Sequence, residues 1–394
     1  MVKLYYLCIE IIQPSFAEFN SHAGFLFHLP VYSLFTIKPF YMMEVKQPKK
    51  KLALNAIQAD AEQRLAAMHK PDENDLLIDK TATDWIEEAK TKPVPLMLFS
   101  ELWYEGETCF LYADTNVGKS ILAVTIADSI SKGTPLQGFK LEAPAQKVVY
   151  VDFEINCKQF ERRSSDNFEG HYSFSENFIR VELNSRNMSA TYTRLEDYII
   201  AEMERVMLKH QAKILIVDNL TFLSSDAEKS KEASELMKSL NRLADLHGWS
   251  ILVLSHTPKR DPSQQLLMKD LKGSGSLAIF CDAAFAIGRS ARDKDLRYIK
   301  QVKQRSTHEI YGEENVIICL LTKHDNFMQF IYQGLGNERA HLRRKTEEEV
   351  TSQQEQAIEL YNSGLSLRKI ADKVGKSHSW VKIIVDKHKA KKQA

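Results

Sequence analysis

One segment of the chain, from Cys109 to Ser131, constrains the fold more than any other. It begins with a short apolar run and then turns through a glycine, a lysine and a serine into a helical pattern. The order strand, loop, helix with Gly118, Lys119 and Ser120 at the turn is typical of a phosphate-binding loop. In such a loop, backbone N–H groups and the positive end of the helix face the phosphates, the lysine reaches the β- and γ-oxygens, and the hydroxyl ligates Mg²⁺.

We therefore predict a site for ATP and Mg²⁺ in this loop. Ala113 stands where a first glycine is usual, and this departure would matter most if the position needed a positive φ. The alternative is a chance Gly-Lys-Ser at the start of an ordinary helix, which the flanking strand and helix patterns disfavour. The predicted nucleotide-binding residues are Ala113, Asp114, Thr115, Asn116, Val117, Gly118, Lys119 and Ser120.

Composition indicates several domains and an uneven distribution of charge. The chain has 394 residues and a formal net charge of +1, but after Ser366 nine basic residues face only Asp372 and Asp386. A basic end of this kind favours a nucleic-acid partner. The five cysteines are scattered without a C-x-x-C pair, which indicates neither a zinc site nor a disulfide framework and favours the cytoplasm.

Residues 1–42 differ from the rest because they are rich in aromatic residues and poor in charges. The uncharged run from Phe19 to Ile37 includes histidines, an asparagine and a proline, so it is a poor membrane span, and Glu10 interrupts any signal-peptide core. We expect no membrane attachment and expect the physiological start at Met42 or Met43, which an intact mass that includes Met1 would contradict. Residues 43–94 are predicted to be a helix and a linker.

After the phosphate loop, apolar β-rich runs alternate with helical ones, which predicts an α/β fold with a mostly parallel sheet flanked by helices. The later strands follow one another with few helices between them and are predicted to add antiparallel members. The predicted strands are 147–153, 178–183, 213–217, 250–255, 283–287, 297–302, 316–322 and 328–332, and the predicted helices are 191–210 and 229–247.

Hydrolysis of ATP requires a held metal and an activated water. Asp218 ends an apolar strand and is predicted to hold Mg²⁺ through water together with Ser120; a solvated turn aspartate is the alternative. Because Asn219 follows it, the base must come from elsewhere. Glu154 lies just beyond the strand expected to neighbour the phosphate loop, so we predict that it activates water; a surface carboxylate is the alternative.

Three further residues are predicted to take part in catalysis. His256 ends an apolar strand at the same edge, where it would sense the γ-phosphate unless it is merely structural. Lys303 and Arg305 leave a late strand as a Lys-x-Arg pair. They are either exposed strand-end charges or cations that reach the nucleotide of a neighbouring subunit, where an arginine raises the rate by about 10³ to 10⁵.

Together these motifs resemble the RecA-type ATPases over residues 95–336, and within them the DnaB-type helicases, the plasmid helicase RepA and RadA-like repair ATPases. The resemblance implies a RecA-like fold and a homo-oligomeric ring or filament, with Lys119, Glu154, His256, Lys303 and Arg305 catalytic and the last two acting in trans. It also implies that His256 couples the γ-phosphate to a DNA-contacting loop, for which the basic segment Thr257 to Gly275 is the candidate. A surface lid is the alternative for that segment.

Residues 351–394, after a predicted linker at 337–350, carry a separate signal. Helices are predicted at 353–362, from a Ser366 cap to Val374, and at 377–387, with Gly375 at a tight turn. This resembles a helix-turn-helix, which implies a second helix in the DNA major groove. A helical hairpin that binds protein is the alternative. The predicted DNA contacts are Lys376, Ser377, His378, Ser379, Trp380 and Lys382, with Lys387 and Lys389 on phosphates.

The leading functional hypothesis is therefore an oligomeric, Mg²⁺-dependent ATPase that acts on DNA as a helicase, loader or mobile-element replication protein. A second hypothesis is a regulator that binds an operator under the control of ATP and unwinds nothing. A third, a small-molecule kinase, leaves Glu154, Lys303, Arg305 and the basic end without a role.

Overall fold

The computed structural model describes residues 60, 76–184, 195–219, 229–271, 277–344 and 347–393. The predictions for residues 1–42, for the helix after residue 51 apart from residue 60, and for the end of the basic loop at 272–276 lie outside the described residues. The chain divides into two compact units, Met1–Lys90 and Thr91–Ala394. The predicted domain boundaries within these units stay predictions.

In the first unit, helix α1 (Ala82–Lys90) stands in a stretch predicted to be irregular. Thr81 caps it, because its hydroxyl accepts a hydrogen bond of 3.1 Å from the Asp84 N–H. Pro93 and Pro95 follow this helix and do not interrupt it. The prediction was wrong here because the cap was not weighed against the prolines beyond the helix end.

The second unit contains a two-stranded and a nine-stranded sheet. In the small sheet, β1 (Met97–Phe99) pairs antiparallel with β2 (Trp103–Tyr104). The large sheet consists of β3 (Thr108–Ala113), β4 (Val148–Asp152), β5 (Phe178–Glu182), β6 (Ile214–Asp218), β7 (Ser250–His256), β8 (Ala283–Arg289), β9 (Leu296–Lys303), β10 (Val316–His324) and β11 (Phe327–Gly336).

The strand order of the large sheet is β11-β10-β9-β8-β3-β7-β6-β4-β5. Every pair from β8 to β5 is parallel, whereas β9, β10 and β11 add antiparallel strands beyond β8. The predicted α/β class with a mostly parallel sheet and a late antiparallel part is confirmed. Parallel alignment brings the carboxyl ends of β3, β4, β6 and β7 to one edge of the sheet.

Helices cover both faces, as the near-continuous apolar strands require. Helix α2 (Lys119–Lys132) packs on one face with Leu122, Ala123 and Ile126. Helices α4 (Leu195–His210) and α5 (Lys229–His247) pack on the other. The buried side chains of the sheet therefore divide between two cores, and the fold needs both layers.

Helix α3 (Cys157–Arg163) is an element that the sequence analysis missed. Its signal was present, because Asn156 and Gln159 form a reciprocal capping box in which each side chain accepts a backbone N–H bond of 3.0 Å. The helix is only seven residues long, so it offers little periodicity to detect.

The C-terminal module forms the predicted three helices, α6 (Glu347–Asn362), α7 (Leu367–Val374) and α8 (His378–Gln393). Gly375 ends α7 with a φ of 63°, which makes the tight turn. The shared core consists of Ala357, Ile370, Ala371, Val374, Val381 and Val385. The first helix begins inside the predicted linker at 337–350, because its first turns are polar and show no apolar period.

Two predicted details of this module differ from the structure. Ser366 occupies the cap position of α7, but its side chain makes no capping hydrogen bond. Ser377 precedes the last helix, and its hydroxyl accepts a bond of 3.2 Å from the Trp380 N–H. That hydroxyl is therefore engaged as a cap, which weakens the prediction that it contacts DNA.

Among the residues that the structure describes, no helix combines the length and the apolar character that a membrane crossing requires.

Candidate nucleotide-binding site and nucleic-acid interface

The phosphate loop leaves the central strand β3 without strain at its first position. Ala113 pairs in regular register with His256 of β7 and Ile287 of β8, and its φ is not positive. The alanine in place of glycine is thus accommodated. The positive φ values fall later in the loop, at Asn116 (59°) and Gly118 (112°).

Gly118 is required for two separate reasons. Its φ of 112° disfavours any residue with a side chain, and a Cβ there would lie 3.1 Å from the Phe330 ring and 3.3 Å from Leu321. Both neighbours belong to the antiparallel strands β10 and β11. The far side of the sheet therefore packs directly against the loop.

Lys119 lies at the first position of α2 and is 5% exposed. Its ammonium donates to the carbonyl of Ala113 (3.2 Å) and lies 2.9 Å from His256 Nδ1. Burial lowers the pKa of Lys119, against the opposing effect of nearby carboxylates, of which Glu154 is the strongest. The lysine is thus held at the mouth of the loop beside the end of β7.

His256 connects the lysine to Glu154 and Asn219. Because Nδ1 accepts from the ammonium, the ring proton belongs on Nε2. That nitrogen lies 3.1 Å from the Asn219 side-chain amide and 3.9 Å from Glu154 Oε1. Glu154 Oε2 in turn accepts from the Ser120 hydroxyl at 3.5 Å. Four distant parts of the chain thus meet at one point of the sheet edge.

Asp218 is fully buried next to this cluster. Its Oδ2 accepts a hydrogen bond from Tyr150, whereas Oδ1 has no hydrogen-bond partner within the described residues. Burial raises the pKa of the Asp218 carboxyl to about 6, although the nearby hydroxyls of Ser120 and Tyr150 act in the opposite direction. A buried carboxylate oxygen without a partner fits a metal-bound water.

This donor set suits Mg²⁺. The parts of the chain that the structure describes hold no cluster of three or more metal-ligating side chains. Mg²⁺ needs none, because it keeps several waters and takes one or two protein ligands plus phosphate oxygens. The Ser120 hydroxyl and the Asp218 carboxylate are the two groups predicted for that role, and the orphaned oxygen agrees with the prediction.

Asp152 has a role that the sequence analysis did not assign. Its Oδ1 accepts the backbone N–H groups of Glu154 and Ile155, both at 3.0 Å, so it fixes the turn that carries Glu154. Its Oδ2 forms a buried ion pair of 2.7 Å with Arg180 of β5. The signal was the Asp-x-Glu spacing at a strand end, which was interpreted only as a choice between two carboxylates.

The predicted neighbour of the phosphate-loop strand was wrong. Strand β4, which precedes Glu154, lies between β5 and β6, and β3 lies between β7 and β8. Three strand spacings, about 14 Å, therefore separate β3 from β4. Glu154 still reaches the loop because α2, which begins with Lys119 and Ser120, packs across β4, β5 and β6.

Lys303 and Arg305 lie away from the phosphate loop of their own chain. Lys303 is opposite Ala284 at the start of β8, whereas the loop follows the opposite end of the neighbouring β3. Lys303 donates to the Ala278 carbonyl at 2.7 Å, and Arg305 pairs with Asp282 at 3.0 Å. Within one chain both residues thus serve the amino-terminal edge of the parallel strands.

The described part of the predicted DNA loop, residues 257–271, is packed and is joined to the phosphate loop. Leu266 and Leu271 are buried, and the Leu266 N–H donates to Glu338 at 2.7 Å. Thr257 donates to the Asp114 carboxylate, and Arg260 lies 3.9 Å from it. Lys259 and Lys269 are exposed, as a contact with an anionic partner would require.

In the C-terminal module, α8 presents an exposed basic face. Of the predicted DNA contacts, His378, Ser379 and Lys382 are exposed, and so is Lys387 further along. The others are partly engaged: Lys376 lies over the Trp380 ring (5.5 Å), and Lys389 lies over the Tyr361 ring of α6 (5.0 Å).

Two arginines that the sequence analysis did not single out hold the phosphate loop. Arg289 donates to the Asn116 carbonyl at 3.0 Å, and Arg297 donates to the Val117 carbonyl at 2.9 Å. They lie some 170 to 180 positions after the loop. No local pattern in the sequence could have connected them to it.

The fold and the loop define a P-loop ATPase domain of the RecA-like class. Residues 71–262, just under half of the chain, match the family model described as an AAA domain, and this part of the chain belongs to that family. A P-loop ATPase domain implies binding and hydrolysis of ATP. No curated protein matches the sequence.

Two solved structures illustrate the structural likeness. One, a KaiC-like protein of Pyrococcus horikoshii OT3, is 16% identical with a TM-score of 0.41 and covers 59% of this chain and 91% of its own. The other, the ATPase domain of a DnaB-family helicase, is 13% identical with a TM-score of 0.47 and covers 66% of this chain and 100% of its own. Scores at this level carry no functional argument.

Replacing Asp152 tests its role in holding the turn. We expect Asp152→Asn to lower the free energy of unfolding by about 3–5 kcal/mol, because it leaves the buried Arg180 guanidinium without its charged partner. Glu182→Gln is the matched control, because Glu182 also pairs with Arg180 but is 43% exposed, and we expect a loss of less than about 1 kcal/mol. Urea unfolding followed by the fluorescence of the buried Trp103 and Trp249 measures both, and equal losses would contradict the prediction.

Proposed function

We propose that this protein is an oligomeric, Mg²⁺-dependent ATPase that acts on DNA, as a helicase, a loader or a replication protein of a mobile element. The observation that carries the proposal is the position of Glu154, 3.5 Å from the Ser120 hydroxyl and within 3.9 Å of His256. A carboxylate at that point lies next to the place where a γ-phosphate would sit beyond Lys119.

The chemistry divides among the residues of this edge. The Glu154 carboxylate takes the proton of the attacking water, and Asp152 keeps it in position through the backbone. Lys119 leaves the loop carbonyls for the β- and γ-oxygens of the nucleotide. Mg²⁺, held by the Ser120 hydroxyl and through water by Asp218, neutralises charge on the phosphates when it is bound.

His256 is placed to report the state of the γ-phosphate. It contacts Lys119 on one side and the Glu154 carboxylate on the other, and Thr257, the next residue, bonds Asp114 of the loop. A change at the phosphate thus has a short path into the segment 257–271 with its exposed lysines. This supports the proposal that the segment contacts DNA.

A second subunit completes the site in this proposal. A transition state that spreads charge over the γ-phosphate gains from a cation on its outer side. Arg305, with a 55% exposed side chain at the opposite edge of the sheet, cannot reach the loop of its own chain but is available to an adjoining one. Lys303 is the weaker candidate because it already caps backbone carbonyls.

The C-terminal module is proposed to bind duplex DNA with α8 in the major groove. The exposed His378, Ser379 and Lys382 lie at its start, where residues of a recognition helix meet base edges. A second candidate, an ATP-controlled regulator without unwinding activity, rests on the same module, since a helix-turn-helix is sufficient for operator binding. Strand displacement by the purified protein separates the two.

The Glu154→Gln variant tests the base. We expect it to lower kcat by at least about 10²-fold while ATP remains bound, because the amide cannot accept the proton of the water. Glu161→Gln, an exposed carboxylate of α3, is the control and should turn over normally. ATPase assays with and without single-stranded and duplex DNA measure both rates, and turnover that neither DNA stimulates would count against action on DNA.

A mixing experiment tests the completion of the site by a neighbour. We expect Arg305→Ala to lower kcat by about 10³-fold or more with unchanged ATP affinity. Arg305→Ala mixed with the inactive Lys119→Ala should regain part of the activity, because each supplies what the other lacks. Arg292→Ala, another exposed arginine, should behave as wild type. Full activity in a species that stays monomeric at every concentration would refute the proposal.

The salt dependence of duplex binding tests the DNA module. We expect Lys387→Ala to reduce the slope of log K against log salt by about 0.9, as for one lost phosphate contact. Lys209→Ala, at the exposed end of α4, serves as the control and should leave the slope unchanged. An unaltered slope in Lys387→Ala would remove this lysine from the interface.

A further inference from the structure

Arg289 and Arg297 occupy a setting that the proposed function does not explain. They are directly opposite one another on the antiparallel strands β8 and β9. Two like charges in this arrangement repel, which destabilises the pair. Within the described residues, neither forms an ion pair with a carboxylate. Both guanidinium groups instead donate to backbone carbonyls: Arg289 to Asn116, and Arg297 to Val117, Lys294 and Leu296.

Arg297 is held in place far more firmly than Arg289. It is buried, and the pKa of its guanidinium is lowered, first by burial and then by the charge of Arg289, although Asp295 and Asp293 act in the opposite direction. Arg289 is exposed and makes a single hydrogen bond. One buried cation and one exposed cation thus meet behind the phosphate loop, and no carboxylate of the described chain pairs with either.

The carbonyls that they bind belong to two particular peptides. The Asn116 carbonyl shares its peptide group with the Val117 N–H, and the Val117 carbonyl shares one with the Gly118 N–H. Within the described residues, neither of these N–H groups donates a hydrogen bond. They lie in the part of a phosphate loop whose N–H groups surround the phosphates.

A cation on a peptide carbonyl strengthens the N–H group at the other end of that peptide. Hydrogen bonds in series polarise one another, and a charged donor at one end increases the effect. The same bond also fixes the peptide plane, so that the N–H direction is set before any ligand arrives. Residues 116 and 118 have positive φ values, and a loop of that kind needs external support to keep one conformation.

We propose that Arg289 and Arg297 are positioning residues for polyphosphate binding, which fix and polarise the peptides 116–117 and 117–118 from behind the loop. The ligand supplies the missing negative charge. The inference rests on ATP binding at this loop and adds a contribution to it from the antiparallel half of the sheet. The two arginines act through the backbone and touch no reacting atom.

Arg289→Gln is the first test, because an exposed residue with one hydrogen bond can be replaced without loss of the fold. We expect the Kd for ATP to rise about tenfold, the order for one charge-assisted hydrogen bond, with the melting temperature unchanged. Arg292→Gln is the matched control: it is an exposed arginine three residues further on, and it donates to the Ala340 carbonyl away from the loop. Its Kd should equal that of wild type.

Arg297→Gln should raise the Kd for ATP by at least as much, and Arg297→Lys, which keeps the charge, should recover part of the affinity. Gln301→Met is the control for a merely structural effect, since Gln301 is an equally buried residue of β9 that bonds the Glu101 carbonyl instead. It should lower the melting temperature without changing the Kd.

The readout that separates positioning from stability is the split between KM and kcat. Loss of ground-state phosphate binding raises KM and leaves kcat nearly unchanged in Arg289→Gln. ATP binding that Arg289→Gln leaves unaltered would overturn this inference alone. Failure of the wild-type protein to bind ATP would overturn the proposed function and this inference together.

Discussion

The structure depends on a stretch of backbone that must keep its hydrogen-bonding groups unpaired. Between the end of β3 and the first turn of α2, the N–H groups of the phosphate loop have to face a ligand, so they cannot be satisfied by the fold. The surroundings supply the rigidity that a ladder would otherwise give. Gly118 accepts the positive φ, Phe330 and Leu321 pack under it, and arginines hold two of the carbonyls.

This constraint explains why the sheet extends beyond its parallel part. A parallel sheet alone would bring β7 and the residues after it to the loop, with His256 next to Ala113. The antiparallel strands β8 to β11 add support from the other side, and β9 continues from Arg297 near the loop to Lys303 at the opposite edge. One strand thus spans the distance between the two places where an oligomeric ATPase needs cations.

Much of this arrangement could be predicted from local patterns. The alternation of apolar runs gave the fold class, and the Gly-Lys-Ser turn gave the loop, because both depend on residues close together in the chain. The site residues at strand ends could be predicted because parallel strands share a carboxyl edge. The predicted position of β4 beside β3 was wrong, since consecutive strands need not be neighbours and apolar periodicity contains no information on strand order. Helix α3 was missed although its capping box is visible in the sequence.

The sequence by itself determined the elements and the chemistry available at their ends: a phosphate loop, an aspartate and a glutamate after apolar strands, and a basic pair of C-terminal helices. Only the tertiary structure decided which of these groups meet. It brought Glu154 to Ser120 across about 14 Å of intervening strands, turned Asp152 into a support for the backbone, and placed Arg289 and Arg297 behind a loop some 170 residues earlier. The physical reason is that hydrophobic burial acts locally on each element but is satisfied by many strand orders, and side-chain contacts across the sheet are fixed only once one order has been chosen.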